Sequence, residues 1–295
     1  MIFKGSGVAL ITPFDNENNI NYKKLEQLLE FQIENKTDSI IICGTTGESA
    51  TLSLDEKKKL IKYTVEVVNK RIPVIAGTGS NNTKFSIELS KYAKEVNADG
   101  LLIVTPYYNK CSKQGLYEHY KAISDSVSLP IIAYNVPSRT GLNIEPDTLV
   151  KLSTIENIVA IKEASSNISQ ISEMFSKIPN NFNIYSGNDD QIIPILSLGG
   201  AGVISVLANI MPKQTHDICY NYFDGKIELA KNMQLKYFDL IKKLFIEVNP
   251  APIKEAMNYL GYNVGKTRLP LCELTENNKK LLKESITKLA LNMNE

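Results

Sequence analysis

Histidine and cysteine are scarce in this 295-residue chain, at two and four residues. Cys43, Cys111, Cys219 and Cys272 stand far apart, with no CxxC pair and no nearby histidine pair. That removes metal-ligand spacing and any disulfide framework, so the thiols are expected to be reduced and structural, and no metal is expected. An excess of one charge is also missing: 33 Lys and Arg are interspersed with 32 Asp and Glu, for a net charge of +1. No basic patch is available for nucleic acid or an anionic membrane surface. No apolar run approaches the ~20 residues of a membrane-spanning helix. The run from Val8 to Phe14 is interrupted by Pro13, and no cleavage pattern follows it, so the expected location is the cytoplasm. Absence of GxGxxG before the first helix takes support from a dinucleotide-binding sheet.

With 43% hydrophobic and 22% charged residues the chain can bury a large core, and disorder is not expected. Short β-branched runs ending in Gly, Pro, Thr or Ser alternate with stretches of helical period. The predicted strands are Gly7 to Ile11, Ser39 to Cys43, Pro73 to Ala76, Leu101 to Thr105, Pro130 to Tyr134, Ile158 to Lys162, Asn183 to Ser186 and Gly202 to Val206. Most are continuously apolar, as parallel strands covered on both faces are. Leu25, Leu28, Leu29 and Ile33 share one face of a helix over Asn21 to Glu34, with Asn21 as its N-cap. Leu60, Ile61, Val65 and Val68 do the same over Asp55 to Val68, and Thr83 to Val96 and Gly115 to Val127 follow. The alternation predicts an α/β fold, a closed (β/α)₈ barrel over residues 1–210, with an open doubly wound sheet as the alternative. Beyond Ala208 only helices are predicted: Lys213 to Phe223, Lys226 to Phe245, Ala251 to Leu260 and Glu276 to Leu291. Residues 211–295 are therefore expected to form a C-terminal helical region packed on the barrel.

In such a barrel the chemistry sits at the C-terminal ends of the strands. Those ends carry Gly44 to Glu48, Thr105 to Asn109, Tyr134 to Arg139, Lys162, and Gly187 to Asp189. The set offers hydroxyls, phenols, a guanidinium and a lysine, which suits an anionic carbonyl substrate. Lys162, closing the apolar run Ile158 to Ile161, is the natural nucleophile toward a ketone, and the imine it forms acts as an electron sink. An ordinary lysine amine titrates near ~10.4, so this role calls for the desolvation an apolar barrel supplies. Tyr134, at the same level on the preceding strand, is placed to carry protons. The Gly44-Thr45-Thr46-Gly47 turn presents amides and hydroxyls to a carboxylate, and Arg139 offers a planar fork to a second one. Each feature alone has an ordinary structural reading: a core tyrosine, a Gly-Thr turn, a surface arginine. His119 and His216 fall inside predicted helices and read as structural or solvent-facing.

GTTGESATL, IAGTGSN, TPYYN, YNVPSRTG, IKEAS, SGND, GGAGVISV and NPAPIKEAMNYLG occur in that order. With them the chain resembles the pyruvate-dependent class I aldolases, the N-acetylneuraminate lyase family in its wide sense, over nearly its whole length. Within that family it is most similar to the branch joining pyruvate to aspartate β-semialdehyde on the way to diaminopimelate and lysine. The resemblance implies a Schiff base on Lys162 and no further cofactor. It implies a proton relay of Thr45, Tyr134 and Tyr108, with Tyr108 given across a tight dimer interface. Arg139 would hold the semialdehyde carboxylate and Thr46 that of pyruvate, while Gly187 and Ile204 would line the pyruvate pocket. A homodimer is then obligatory and a homotetramer expected.

Ser49, Ala50, Asn81 and Tyr107 match the lysine-effector site of inhibited relatives. Phe85 stands where those relatives carry glutamate, and Leu54 and Lys57 where they carry histidines. Free lysine brings two ammonium groups, so a lost carboxylate and an added lysine imply weak or absent feedback. Two rival functions follow from the same resemblance. A sugar-acid aldolase such as N-acetylneuraminate lyase is disfavoured by Arg139, and a non-catalytic pyruvate-binding protein by the complete relay.

Overall fold

Strand and helix alternate along the chain because its apolar spacing alternates, and side chains fix where each helix begins. The computed structural model describes residues 1–292, with side chains through residue 289. In order the elements are β1 (Gly5–Ala9), α1 (Tyr22–Glu34), β2 (Ser39–Ile42), α2 (Leu54–Val68), β3 (Val74–Gly77), α3 (Thr83–Glu95) and β4 (Gly100–Val104). Then come α4 (Lys113–Ser126), β5 (Ile131–Asn135), α5 (Pro137–Thr140), α6 (Pro146–Leu152), β6 (Ile158–Glu163), α7 (Ile168–Lys177) and β7 (Asn183–Ser186). The last are α8 (Ile192–Ser197), β8 (Gly202–Ser205), α9 (Pro212–Phe223), α10 (Ile227–Lys243), α11 (Ala251–Tyr259) and α12 (Glu276–Asn292). Asn21, Asn82, Ser112 and Asn167 cap α1, α3, α4 and α7 by accepting a first-turn backbone N–H. Ser53 and Glu56 form a reciprocal capping box on α2.

Each strand pairs in parallel with the next, and β8 returns to β1, closing the (β/α)₈ barrel. Closure depends on Gly202: its φ is +149°, and a Cβ there would collide with the carbonyl oxygen of Gly5. Alternation along the strands sends Ile40, Ile42, Leu101, Ile103 and Ile161 toward the helices. It sends Ile41, Ile75, Leu102, Ile132, Ala160 and Ile204 into the barrel. Burial of each Ile or Leu is worth about 1.5–3 kcal/mol relative to exposure, which is why the register is fixed. Inside the barrel Phe3 stacks on Tyr185 at 4.4 Å between ring centroids, and the Tyr185 hydroxyl donates to Phe3 O at 2.6 Å.

The predicted strands match the observed ones to within two residues. The first differs most, running Gly5–Ala9 rather than Gly7 to Ile11. Its ladder begins on glycine and serine, which an apolar pattern does not register. Helices α5, α6 and α8 have only four, seven and six residues, too short for a helical period to show. Helix α9 packs on β1 and β8, α10 on α9, and α12 on α10 and α11. Among the described residues no helix is long and apolar enough to cross a membrane.

Candidate active site

The parity of β6 decides where its lysine goes. Ala160 and Ala164 belong to the apolar cluster inside the barrel, so Lys162, between them, points inward as well. It is 5% exposed. Its register partners are Tyr134 on β5 and Tyr185 on β7. The amine lies 4.4 Å from the centre of the Tyr134 ring, a cation–π contact made out of water. Gly187 leaves room for this stem: a Cβ there would come within 3.1 Å of Lys162 Cε and 2.7 Å of Ala164 Cβ.

Above the strand ends is a cavity of about 290 Å³, and its wall includes Thr45, Tyr134, Arg139, Cys43 and Asn249. Thr45, Tyr134 and Arg139 are thus brought together around one space. Lys162, Thr46, Gly187 and Ile204 are not in that wall. Lys162 abuts Tyr134, Gly187 borders the Lys162 stem, and Ile204 is buried in the same interior cluster as Tyr134. Thr46 is buried, and its hydroxyl oxygen accepts from Asn249 Nδ2 at 3.0 Å, leaving the hydroxyl hydrogen free to donate. Arg139 Nη2 donates to Asn249 O at 3.1 Å, and its remaining N–H groups make no hydrogen bond among the described residues. Tyr108 stands apart: it has φ +69°, is 94% exposed and takes no place in the cavity wall of its own chain.

Two further residues were not found from the sequence. Asn249 ties Thr46 to Arg139, and Lys254 on α11 donates to the buried carboxylate of Glu48 at 2.8 Å. Burial pushes the Lys254 amine down to about 8, against Glu48, which holds it up. The available signal was the motif NPAPIKEA, which contains both. Cys43 touches the cavity, but burial pushes its thiol up to about 12, which keeps it protonated and unreactive. Asp189 turns away toward β8, accepting from the amides of Val206 at 3.0 Å and Leu207 at 2.9 Å, and burial raises its carboxyl. Glu163 is likewise buried and raised, and accepts from Ser165 N at 2.6 Å and Asn135 Nδ2 at 2.9 Å.

Of the effector positions, Ser49, Ala50 and Tyr107 lie in the cavity wall. Asn81 lies outside it and donates through Nδ2 to Tyr107 O at 3.2 Å. Lys57 is buried, its amine 5.1 Å from the centre of the Phe85 ring, and burial lowers its pKa. His119 shares a hydrogen bond with Thr83 at 2.9 Å and His216 one with Asp38 at 2.9 Å; neither reaches the cavity. Among the described residues no three His, Cys, Asp or Glu side chains come together as a metal site.

The model of the Dihydrodipicolinate synthetase family matches residues 2–289. This chain belongs to that family. It is 60% identical over 285 residues to the 4-hydroxy-tetrahydrodipicolinate synthase of Clostridium perfringens (strain SM101 / Type A), covering 97% of this chain and 98% of the relative. The crystal structure of dihydrodipicolinate synthase from Aquifex aeolicus superposes with a TM-score of 0.96 at 45% identity, over 98% of this chain and 99% of that one. A monomeric dihydrodipicolinate synthase variant superposes with a TM-score of 0.94 at 41% identity, over 98% of each chain. Enzymes of the dihydrodipicolinate synthetase family use a Schiff base with pyruvate and need no metal.

Proposed function

We propose that the chain is a lyase of the class I aldolase type that condenses pyruvate with L-aspartate 4-semialdehyde to 4-hydroxy-tetrahydrodipicolinate, in the pathway to diaminopimelate and lysine. The observation that carries the reading is the buried Lys162 amine against Tyr134 at the end of β6, in a chain of this family. The amine attacks the pyruvate ketone carbon, and the carbonyl oxygen leaves as water after taking protons through Tyr134. Loss of a methyl proton gives the enamine, whose carbon attacks the aldehyde carbon while the aldehyde oxygen is protonated. The substrate's own amine then attacks the imine carbon and releases Lys162.

Thr45, Tyr134 and a Tyr108 supplied by a second copy form the proton relay. A side chain held at φ +69° and 94% exposed supports that use of Tyr108, since it is free to enter a neighbour. The working assembly is then a homodimer, with a tetramer built from two. Thr46 takes the pyruvate carboxylate, Gly187 and Ile204 bound the pyruvate pocket, and Arg139 takes the semialdehyde carboxylate. Feedback by lysine is weak or absent, because Lys57 and Phe85 stand where lysine-inhibited relatives carry a histidine and a glutamate.

The test is pyruvate consumption measured in parallel with aspartate semialdehyde, N-acetylmannosamine and glyceraldehyde, with Arg139→Ala as control. Selective turnover of the semialdehyde, lost in the variant, is expected. Turnover of a sugar aldehyde instead refutes the substrate, and no borohydride-trapped pyruvate on Lys162 refutes the chemistry.

A further inference from the structure

Glu48 ends the Gly44–Glu48 turn in the left-handed region, at φ +56°. A residue with a side chain stays there only when its surroundings hold it. What holds Glu48 comes from the other end of the chain. Lys254 Nζ donates to Oε1 at 2.8 Å and the Arg268 backbone N–H to Oε2 at 2.8 Å. The two paired side chains are 0% and 2% exposed for Glu48 and Lys254. Lys254 gives a second hydrogen bond to Lys266 O at 2.8 Å and lies 4.1 Å from the centre of the Phe14 ring. Arg268 stands 4.3 Å from the same ring and grips Glu56 on α2 with bonds of 2.6 and 3.0 Å.

The turn is tied internally as well. Glu48 N donates to Thr45 O at 3.0 Å, and Thr12 Oγ1 donates to Gly47 O at 2.7 Å. Asn249, at the entry to α11, donates to Thr46 Oγ1 at 3.0 Å. One short segment, Asn249 to Lys254, therefore grips the turn on both sides of Gly47. Replacing a buried ion pair by a well-packed apolar pair is often neutral for stability, so what distinguishes this pair is its geometry, with hydrogen bonds that fix the turn.

We infer that Lys254 is a positioning residue: through Glu48 it sets the Thr45–Thr46 turn that holds the pyruvate carboxylate and begins the proton relay, an inference that rests on the function proposed above. Helix α11 is thereby part of the pyruvate site without touching pyruvate.

The deciding comparison is between wild type, Lys254→Met and the double variant Glu48→Gln/Lys254→Met, each measured for Tm, for KM and kcat with pyruvate, and for borohydride-trapped adduct on Lys162. Lys254→Met strands a buried carboxylate and is expected to lower Tm. The double variant removes both charges and keeps an acceptor for the Arg268 amide, so its Tm is expected to return close to wild type. Its KM for pyruvate is expected to stay raised by roughly tenfold, the size of one misdirected hydrogen bond to a charged group. A double variant with wild-type Tm and wild-type KM overturns the inference and leaves the pair a structural one. If the double variant does not fold, Glu48→Gln alone decides: raised KM at unchanged Tm supports the role, and unchanged KM overturns it. Absence of the adduct in wild type refutes the proposed function itself, a result distinct from either.

Discussion

Alanine at position 187 is the smallest change that reaches Lys162 directly. Its Cβ would lie 2.7 Å from Ala164 Cβ, 3.0 Å from Glu163 O and 3.1 Å from Lys162 Cε. Carbon atoms settle at ~3.5–4.0 Å, so the methyl group lacks about 0.5–1 Å of room. Ala164 Cβ and Glu163 O are fixed to the β6 backbone, and the Lys162 stem is the more movable neighbour. If β6 and β7 spread, overpacking costs about 1–3 kcal/mol of stability. If the stem swings instead, the amine moves by about 1 Å, and a misplacement of that size lowers rate on the order of a hundredfold. The assay is the rate of pyruvate trapping on Lys162 under borohydride, alongside Tm and steady-state turnover. A Gly187→Ala protein with wild-type Tm and trapping within about twofold of wild type would show that the glycine has no such role.

His119 is held by burial at about 4 against an ordinary 6.5. Between those values the unfolded chain takes a proton that the folded chain refuses, so stability falls as pH drops through the window, by about 3 kcal/mol in full. Urea midpoints at pH 7 and pH 4.5 should differ less in His119→Phe than in wild type. Ellman's reagent at pH 8 should label the exposed Cys272 in the native protein and leave the buried Cys43 and Cys219, both raised by desolvation, until unfolding. Added lysine should leave turnover nearly unchanged, and Lys57→His with Phe85→Glu should introduce inhibition; half-inhibition of wild type at sub-millimolar lysine contradicts that reading.

The barrel was legible because its strands are continuously apolar and its early helices have a clean period. Lys162 stood out less by its own strand, where a closing lysine ordinarily meets water, than by the coherent set of residues at the other strand ends, and Tyr134 because its strand precedes that one at the same level. Glycine-rich strand ends and helices of four to seven residues carry no period and were blurred. Asn249 and Lys254 stood in a visible motif, but their role was hidden for a different reason. Their partners Thr46 and Glu48 lie 203 and 206 positions away, and only the closed fold puts them side by side. Asp189 showed the converse: a carboxylate at a strand end that the fold spends on backbone amides rather than on the cavity.

The stacked rings of Phe3 and Tyr185 stop the barrel from below, directly beside the register position of Lys162. On the other side of Lys162 lies Tyr134, which together with Arg139 lines the cavity at the strand ends. If Arg139 takes the aldehyde's carboxylate as proposed, an aldehyde seated there occupies the cavity that borders Tyr134, on the way toward Lys162. On the function proposed above, this layout favours one order: pyruvate enters first, water departs, and the second reactant follows. Excess aldehyde supplied ahead of pyruvate is then expected to slow turnover.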